Sequence, residues 1–299
     1  MKSSAAMLAA LLVLTIGTTA ATRAQSKGRP QTRHVFVHVV DQQGNPVNGL
    51  AAGDFTITEV GKPRVVTQAG PARDPMRIAL FLDTSDAAAP ALQHLRAGVL
   101  AFLDALPPED EVLLVTTERQ ARVRVQPTTD RRKLKDAAAG LFTDGAGTVL
   151  MDGLMEVDDR FMKKMPDVWP IFVIFTSDGT ESSAGAREKE FSKWTLSIGE
   201  RGVTVHALVF KVPRGAGMPD IVAQNLTQNT GGRYDMMNTT NGLPDKMKAL
   251  AERLALDHQK MIAWYRVDFQ TESTEFRPVE VAVAREGVRL EVADRRRTQ

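Results

Sequence analysis

The sequence predicts an α/β fold in which a doubly wound, mostly parallel sheet is inserted into a small β-sandwich-like domain. In the middle of the chain, apolar strand patterns alternate with segments of helical periodicity, which is typical of a parallel sheet covered by helices on both faces. At the two chain ends, short segments instead alternate apolar and polar residues, as half-buried strands do. Neither end has enough strands for a stable sheet, so we expect the two ends to pair into one domain.

The N-terminal segment has the features of an export signal. Residues 7–16 form an apolar run after a positively charged start, and this run is shorter than the roughly 20 residues that span a bilayer. Small residues follow up to Ala24, which predicts a signal peptide over residues 1–24; an uncleaved anchor is the alternative. Residues 25–32 are polar and predict a disordered leader. We therefore expect a secreted or periplasmic protein with no membrane span after signal cleavage.

Residues 33–72 are predicted to form the N-terminal part of the β domain, and residues 264–294 its C-terminal part. Valines at every second position from Val35 to Val39 give one apolar face, as a half-buried strand requires. The predicted strands of this domain are 34–40, 55–58, 64–68, 265–269, 279–283 and 288–292. Residues 295–299 form a basic tail.

Residues 73–263 are predicted to form the α/β domain. The predicted strands are 77–83, 111–117, 121–126, 169–176, 203–210 and a last strand entered at Tyr234. The predicted helices are 92–106, 131–141, 150–161, 186–199, 219–229 and 243–263. Two prolines at positions 107 and 108 end the first helix, because proline lacks the donor and restricts the residue before it.

Composition narrows the classes of function. Of the 299 residues, 43% are hydrophobic and 25% are charged, which is typical of a globular protein with a substantial core. The net charge is only +2, and few aromatic residues accompany the basic clusters, which argues against a nucleic-acid partner. The chain contains no cysteine, which excludes disulfides and a lipidated N-terminal cysteine.

Carboxylates follow two buried strands of the predicted parallel sheet. Asp83 ends the first strand and is followed by Ser85, and Asp178 follows a second apolar strand. Ligands of open α/β sheets bind just past the carboxyl ends of the strands. Two such carboxylates with neighbouring hydroxyls therefore indicate an all-oxygen cation site, of the kind that Mg²⁺ or Ca²⁺ prefers.

The same residues carry a family resemblance. Residues 83–87 (Asp-Thr-Ser-Asp-Ala) resemble the Asp-x-Ser-x-Ser motif of von Willebrand factor A-like domains, residues 147–152 resemble the family's threonine loop, and residues 176–179 resemble its second Asp loop. Residues 39–62 are similar to the leader of a bacterial, largely acidobacterial group of secreted proteins with such a domain. The resemblance covers nearly all of the mature chain and implies a Rossmann-like fold.

The resemblance also implies a metal-ion-dependent adhesion site, with one ligand missing. In the family, two serines and the loop threonine hold the cation, and two aspartates supply negative charge. The corresponding residues of this chain are Asp83, Ser85, Thr148 and Asp178. The second serine is replaced by Ala87, which cannot coordinate, and Asp86 is the candidate substitute. We therefore expect weak binding of Mg²⁺ or Ca²⁺, completed by an acidic residue of a protein partner when the metal is bound.

A structural role is the alternative for these carboxylates. Asp83 and Asp178 are also suited to cap helix N-termini and to accept hydrogen bonds from loop amides. Asp144 and Asp152, near the threonine loop, are expected to be a turn residue and a helix-terminus residue rather than ligands.

Catalytic motifs are missing from the sequence. There is no Gly-x-Ser-x-Gly elbow, phosphate-binding loop or dinucleotide fingerprint. Ser85, Asp178 and His206 have the residue types of a hydrolytic triad, but His206 lies in an apolar strand pattern, which favours a core role. The predicted function is an exported, non-enzymatic protein-binding or adhesion module that uses the top face of the α/β domain. The alternative is a metal-independent structural component of a cell-envelope assembly; the oligomeric state is left open.

Overall fold

The computed structural model describes residues 30–293, apart from positions 164, 166, 184–187, 214, 216 and 274–276. The predicted signal peptide, most of the leader, the basic tail and the start of the predicted helix 186–199 lie outside the described residues. Within the described part of the chain, no helix is both long and apolar enough to cross a membrane.

Strands and helices follow the predicted order along the chain. The strands are β1 (Gln31–Val40), β2 (Phe55–Glu59), β3 (Lys62–Arg64), β4 (Val66–Pro71), β5 (Met76–Leu82), β6 (Glu111–Thr116), β7 (Arg122–Thr128), β8 (Trp169–Ser177), β9 (Thr204–Phe210), β10 (Tyr234–Met237), β11 (Tyr265–Thr271), β12 (Val279–Val283) and β13 (Arg289–Ala293). The helices are α1 (Leu92–Ala105), α2 (Arg131–Ala139), α3 (Leu150–Val157), α4 (Glu188–Glu200), α5 (Met218–Thr230) and α6 (Leu243–Met261). A 3₁₀ helix over Asp86–Ala91 leads into α1, and a π-helical turn over Asp158–Met162 extends α3.

The central sheet has the strand order β10-β9-β8-β5-β6-β7, and all neighbours are parallel except β6 and β7. Every residue of β5 is buried, because this strand lies at the centre of the sheet and is covered on both faces. Helices α1, α2 and α6 pack on one face, and α3, α4 and α5 pack on the other. This arrangement confirms the predicted doubly wound, mostly parallel α/β sheet.

Two smaller antiparallel sheets combine strands from both ends of the chain. One has the order β13-β1-β11-β4 and the other β12-β2-β3. Val35 of β1 pairs with Val267 of β11, and Ile57 of β2 pairs with Val281 of β12. The apolar faces of the two sheets enclose a third core. The two ends of the chain therefore pair in a sandwich-like arrangement, as the predicted fold class requires. The residue limits of the domains remain predictions.

One predicted strand is wrong in its extent. Residues 64–68 were expected to form one strand, but the chain passes from the three-stranded sheet to the four-stranded sheet within this segment. Val65, the residue between β3 and β4, has 66% of its surface exposed. The alternating pattern continues across this change of sheet, so periodicity alone does not mark it.

A buried carboxylate joins the two small sheets. Glu59 at the end of β2 is fully buried and accepts hydrogen bonds from Arg33 Nη1 at 2.9 Å, Arg64 Nε at 2.8 Å and Thr271 Oγ1 at 2.7 Å. Burial alone would raise the pKa of Glu59, but the hydrogen bonds from Thr271 and Arg64, with the charges of Arg64 and Arg33, hold this pKa below its ordinary value. The carboxylate is therefore charged and connects β1, β3 and β11.

Candidate functional site

Three loops meet past the carboxyl ends of β5 and β8. We call them the first loop (residues 83–88), the second loop (residues 144–149) and the third loop (residues 178–183). Backbone hydrogen bonds tie them together: Asp86 N to Gly145 O at 2.8 Å, Asp144 N to Thr84 O at 3.0 Å, Thr148 N to Thr180 O at 2.9 Å and Ser182 N to Thr148 O at 2.6 Å. The loops thus form one ordered face, and all the predicted site residues lie on them.

Asp83 uses both carboxylate oxygens to hold the first loop against β8. The residue is 1% exposed, and its Oδ1 accepts from the backbone N–H of Ser85 at 2.9 Å. Its Oδ2 accepts from the N–H of Ser177 at 2.9 Å and from the Ser177 hydroxyl at 2.7 Å. These contacts match the loop-amide role considered as the alternative for this residue.

Ser85 and Thr148 are both buried, but their hydroxyls differ in what they contact. Ser85 Oγ has no hydrogen-bond partner among the described residues. Thr148 Oγ1 donates to Thr117 O at 3.0 Å and lies 2.6 Å from Thr117 Oγ1. A buried hydroxyl group without a hydrogen-bond partner lowers the stability of the folded protein by about 1–3 kcal/mol. Ser85 Oγ would therefore gain from a contact with a ligand, and no described residue occupies it.

Asp178 orders the segment that follows β9. Its Oδ1 accepts from the backbone N–H of Val212 at 2.7 Å, and the residue is 7% exposed. A Cβ atom on Gly215 would lie 2.4 Å from the same oxygen, so glycine is needed where this segment passes the carboxylate. Asp178 therefore also has the loop-amide role.

Asp86 and Ala87 lie at the outer edge of the first loop. Asp86 is exposed, and its carboxylate forms no ion pair with any residue that the structure describes. Ala87 is half-buried, and its Cβ would lie 2.8 Å from a Cβ added to Gly179. The first and third loops thus touch at this point, and Asp86 projects from their junction.

Glu118 is a neighbour of the site that the sequence did not indicate. It is fully buried; its Oε2 accepts from the hydroxyl of Thr84 at 2.7 Å, and its Oε1 accepts from Arg124 Nη2 at 2.8 Å. Thr84 and Glu118 are 34 positions apart, so no local pattern connects them. Glu118 supports the first loop from β6 and β7 through this pair of contacts.

Glu181 connects the third loop to helix α3. Its Oε2 accepts from the backbone N–H of Leu150 at 3.2 Å, and its Oε1 accepts from the N–H of Ser183 at 2.9 Å. Burial raises the pKa of the Glu181 carboxyl above its usual value, and the hydrogen bonds oppose this effect only in part. No pattern in the amino-acid sequence singles out this residue.

The two aspartates near the threonine loop occupy the positions expected for them. Asp144 lies in the second loop, where Arg119 Nε is 3.1 Å from its Oδ1 and Arg122 Nη2 is 3.7 Å from its Oδ2. Asp152 lies in the first turn of α3, and its backbone N–H donates to Ser183 Oγ at 3.0 Å.

A pocket of about 420 Å³ opens between the first loop, the third loop and the segment after β9. It is lined by Asp86, Ala87, Pro90, Gly179, Thr180, Phe210, Val212, Pro213 and Gly215. Its walls are mainly apolar, and Asp86 is the single charged residue among those that line it. The pocket thus combines apolar walls with one carboxylate at its edge.

The residues present fit a bound cation only in part. Ser85 offers a free hydroxyl, but Ala87 offers no oxygen, and both oxygens of Asp83 already accept hydrogen bonds. Among the described residues, no group of three or more His, Cys, Asp or Glu side chains is arranged to hold a metal ion. The donor set therefore does not favour a tightly held ion.

Ser85, Asp178 and His206 have the residue types of a hydrolytic triad, but no described hydrogen bond connects them. His206 lies in β9, is 1% exposed, and accepts through Nδ1 from the backbone N–H of Arg233 at 3.1 Å. Burial, with a smaller contribution from the charge of Arg233, lowers the pKa of His206 to about 4. Asp178 contacts Val212 instead, so no described hydrogen bond links His206 to Asp178 or Ser85.

One family model matches part of the α/β region. The family model of the von Willebrand factor type A domain matches residues 78–181. No curated protein sequence matches the chain.

Solved structures resemble the chain in fold at low sequence identity. A von Willebrand factor type A protein from Catenulispora acidiphila has a TM-score of 0.51 and 13% identity, over 77% of this chain and 51% of that protein. The conserved hypothetical protein BatB from Bacteroides thetaiotaomicron has a TM-score of 0.49 and 16% identity, over 62% of this chain and 98% of that protein.

A third structure is the proximal thread matrix protein 1 from the mussel byssus, with a zinc-occupied MIDAS motif. Its TM-score is 0.49 and its identity 13%, over 70% of this chain and 49% of that protein. At 13% identity, the likeness to the Catenulispora acidiphila protein shows the fold alone. Together with the family match over residues 78–181, the observed sheet order shows that the α/β part of this chain has a fold like that of von Willebrand factor type A domains.

Proposed function

We propose that this chain is an exported, non-enzymatic module that binds a protein partner through the face formed by the three loops. Domains of this family generally serve as interaction modules, which supports a binding role. The observation that carries the proposal is the pocket between the first and third loops, because hydrogen-bonded loops hold its walls in place before a partner arrives. A preformed surface binds with less ordering cost than a mobile one. Export rests on the predicted signal peptide and leads to a secreted or periplasmic location.

The second candidate function is a metal-independent structural component of a cell-envelope assembly. The hydrogen bonds of Asp83 and Asp178 favour it, because these carboxylates order the loops without any ion. In that case the β domain makes the contacts, and the loop face is not used.

Blocking the pocket separates the two candidates. Thr180 lines the pocket and is exposed, and only its backbone carbonyl takes part in the contact with Thr148 N. We expect Thr180→Trp to fold normally and to fill the pocket mouth. Capture of the partner from the native envelope fraction should then fall by about tenfold or more, which corresponds to about 1.4 kcal/mol.

Thr129→Trp is the matched control for this experiment. Thr129 is exposed and follows β7, at the opposite end of the central sheet, so its replacement should leave capture unchanged. If Thr180→Trp captures as much partner as the unchanged protein, the loop face is not the binding surface, and the structural-component function is favoured.

We further propose weak binding of Mg²⁺ or Ca²⁺ at Ser85 and Thr148, with charge from Asp83, Asp178 and Asp86. The free hydroxyl of Ser85 supports this proposal. A cation bound there would neutralise part of the negative charge of the face and attract an acidic residue of the partner.

Restoring the missing hydroxyl should strengthen cation binding. Ala87 lines the open pocket, so a serine hydroxyl has space there and adds one oxygen ligand. Because serine adds one oxygen ligand, we expect calorimetry to show that Ala87→Ser binds Mg²⁺ about tenfold more tightly than the unchanged protein. A tenfold change in Kd corresponds to about 1.4 kcal/mol of binding free energy. Ala89→Ser, at an exposed position of the same 3₁₀ helix, should show no gain. The proposal is wrong if neither the unchanged protein nor Ala87→Ser binds Mg²⁺ or Ca²⁺.

A further inference from the structure

We propose that Asp110 and His258 form a proton-binding pair that stabilises, in mild acid, the junction between the central sheet and the two small sheets. The junction consists of two connections: residues 72–75 lead from β4 to β5, and residues 262–264 lead from α6 to β11. Neither member of the pair belongs to the three loops, so this device is separate from the proposed binding face.

His258 lies beside both connections. It is in the last turn of α6, just before residues 262–264, and its Nε2 lies 3.0 Å from the carbonyl oxygen of Asp74. The connections also contact each other, because the backbone N–H of Ala72 donates to Trp264 O at 2.8 Å. Movement of the His258 ring therefore affects both segments that carry the small sheets.

Asp110 anchors the start of β5. It lies just before β6, and its Oδ1 accepts from the backbone N–H of Met76, the first residue of β5, at 2.9 Å. The same oxygen lies 3.9 Å from Nδ1 of His258. The two side chains thus face each other between the end of α6 and the start of the strand at the centre of the sheet.

The contact with Asp74 decides which ring nitrogen of His258 carries a hydrogen. A carbonyl oxygen only accepts hydrogen bonds, so Nε2 is the protonated nitrogen when the ring is neutral. Nδ1 then directs a lone pair toward the Asp110 carboxylate. One added proton removes this repulsion, because it creates an ion pair when it binds Nδ1 and an uncharged acid when it binds Asp110.

Burial makes the pair without this proton costly. Asp110 is fully buried, and His258 is 8% exposed. Asp110 Oδ2 has no hydrogen-bond partner among the described residues, so the charge of this carboxylate is poorly solvated. Burial raises the pKa of Asp110 to about 6, although the N–H of Met76 and the charge of His258 act in the opposite direction. The pair therefore gains a proton in mild acid, and this proton belongs to the pair rather than to one residue.

Two further charges act on Asp110, and they oppose each other. Glu109, its neighbour in the chain, raises the pKa of Asp110, whereas the guanidinium of Arg131 lowers it. Arg131 is the first residue of α2, and its Nη2 donates to Pro107 O at 2.7 Å. Burial has a larger effect on Asp110 than either charge, so the pair still favours the proton-bound state.

The other carboxylates near His258 have basic partners. These pairs are Asp257 with Arg253 and Lys260, and Asp74 with Arg266. Among the described residues, Asp110 is therefore the carboxylate that pairs with His258.

The stability of the junction should fall as the pH rises. The ordinary pKa of Asp110, which it regains when the junction opens, is 3.8, and its pKa in the closed junction is about 6. A carboxyl whose pKa is raised by folding stabilises the folded form most at low pH, and this contribution is lost as the pH rises through about 6. From pH 5 to pH 8 the equilibrium constant for opening should increase about tenfold, because at pH 5 the closed form alone holds the proton.

NMR measurements on the mature chain test the pair directly. The ¹³Cγ signal of Asp110, followed from pH 3 to pH 8, should titrate near pH 6 rather than near the ordinary value of 3.8. The ring ¹⁵N signals of His258 should show the hydrogen on Nε2 at pH 8. Hydrogen exchange of the Ala72 and Met76 amides, expressed relative to the intrinsic rate at each pH, should become about tenfold faster from pH 5 to pH 8.

A variant without the titrating carboxyl separates the pair from other effects of pH. Asp110→Asn keeps an acceptor for the N–H of Met76 but carries no charge, so the relative exchange rates should stay low and lose their dependence on pH. Asp136→Asn changes an exposed aspartate of α2 and is the matched control. It should keep the tenfold change.

The acid-responsive junction is ruled out by any one of three results. Asp110 could ionise near pH 4 in the unchanged protein, the neutral ring of His258 could carry its hydrogen on Nδ1, or Asp110→Asn could keep the pH-dependent exchange of the unchanged protein. The first two measurements need no variant, so they decide the question even where Asp110→Asn folds poorly.

Discussion

Replacing Glu59 by glutamine should destabilise the β domain by about 2–4 kcal/mol, because breaking a buried ion pair leaves its partner charges uncompensated. Glu59 is fully buried, and its two arginine partners, Arg33 and Arg64, have side chains only 18% and 19% exposed. Glutamine keeps the shape of the side chain but not its negative charge, and its NH2 group presents donors to guanidinium groups and a hydroxyl that donate to Glu59. The loss should appear as faster hydrogen exchange of the β1 and β11 amides.

The effect of Glu59→Gln should also depend on pH. The pKa of Glu59 in the folded protein lies below the ordinary value of 4.5, so the charged carboxylate contributes stability above about pH 4.5. This contribution is lost as the pH falls through the lowered pKa. The stability difference between the two proteins should therefore be full at neutral pH and shrink in acid.

Glu280→Gln is the matched control, because Glu280 is an exposed residue of β12 in the same small sheet as Glu59. A surface change of this kind is expected to alter stability by less than about 0.5 kcal/mol. Equal exchange rates in Glu59→Gln and Glu280→Gln would show that the carboxylate does not hold the two sheets together.

Much of the central sheet was predictable from residue patterns. The strands β5 and β8 are apolar along nearly their whole length and are each followed by an aspartate, and such runs mark a strand covered on both faces. The order of strands in the sheet was not predictable in the same way, because it depends on contacts between distant segments. The change of sheet at Val65 was not predicted for a different reason. The alternation of apolar and polar residues, which has a period of two, is compatible with both β3 and β4 and continues across the residue between them.

For the candidate site, the sequence indicates which residues to consider but not what they contact. The residue pattern placed Asp83, Ser85 and Asp178 just past two strands, and the family resemblance added Thr148; the loops that carry these residues are joined by hydrogen bonds. The sequence left open whether the carboxylates hold an ion or order the loops. Only the structure shows that both oxygens of Asp83 accept hydrogen bonds while Ser85 Oγ has no described partner.

The sequence did not indicate the two glutamates that support the site loops, because their hydrogen-bond partners lie far away along the chain. Glu118 accepts from Thr84 across 34 positions, and Glu181 accepts from Leu150 across 31 positions. A single buried glutamate has no periodic pattern that distinguishes it from a surface residue. Such residues are found by following the hydrogen bonds of the site loops outward, as the contacts of Thr84 illustrate.

Replacing Asp83 by alanine should cost about 3 kcal/mol of stability and disorder the loop face. Three donors would lose their acceptor in a buried place: the N–H groups of Ser85 and Ser177 and the Ser177 hydroxyl. Each unsatisfied buried donor costs about 1–3 kcal/mol, and water that enters the space left by the carboxylate offsets part of the total. Because the first loop then detaches from β8, both cation binding and partner capture should be lost.

Two variants make the Asp83→Ala result specific. Asp86→Ala removes a carboxylate three positions away, but Asp86 is exposed and has no described side-chain hydrogen bond, so stability should change by less than about 0.5 kcal/mol. Asp83→Asn keeps one acceptor for the Ser85 N–H while its amide group opposes the donors of Ser177, so its stability should lie between those of the alanine variant and the unchanged protein. Urea denaturation measures the stabilities, and ¹⁵N spectra report whether the Ser85 and Ser177 amides keep their positions. If Asp83→Ala is as stable as Asp86→Ala and keeps those amide signals, Asp83 does not order the face, and a carboxylate free to bind a cation would be the better description of this residue.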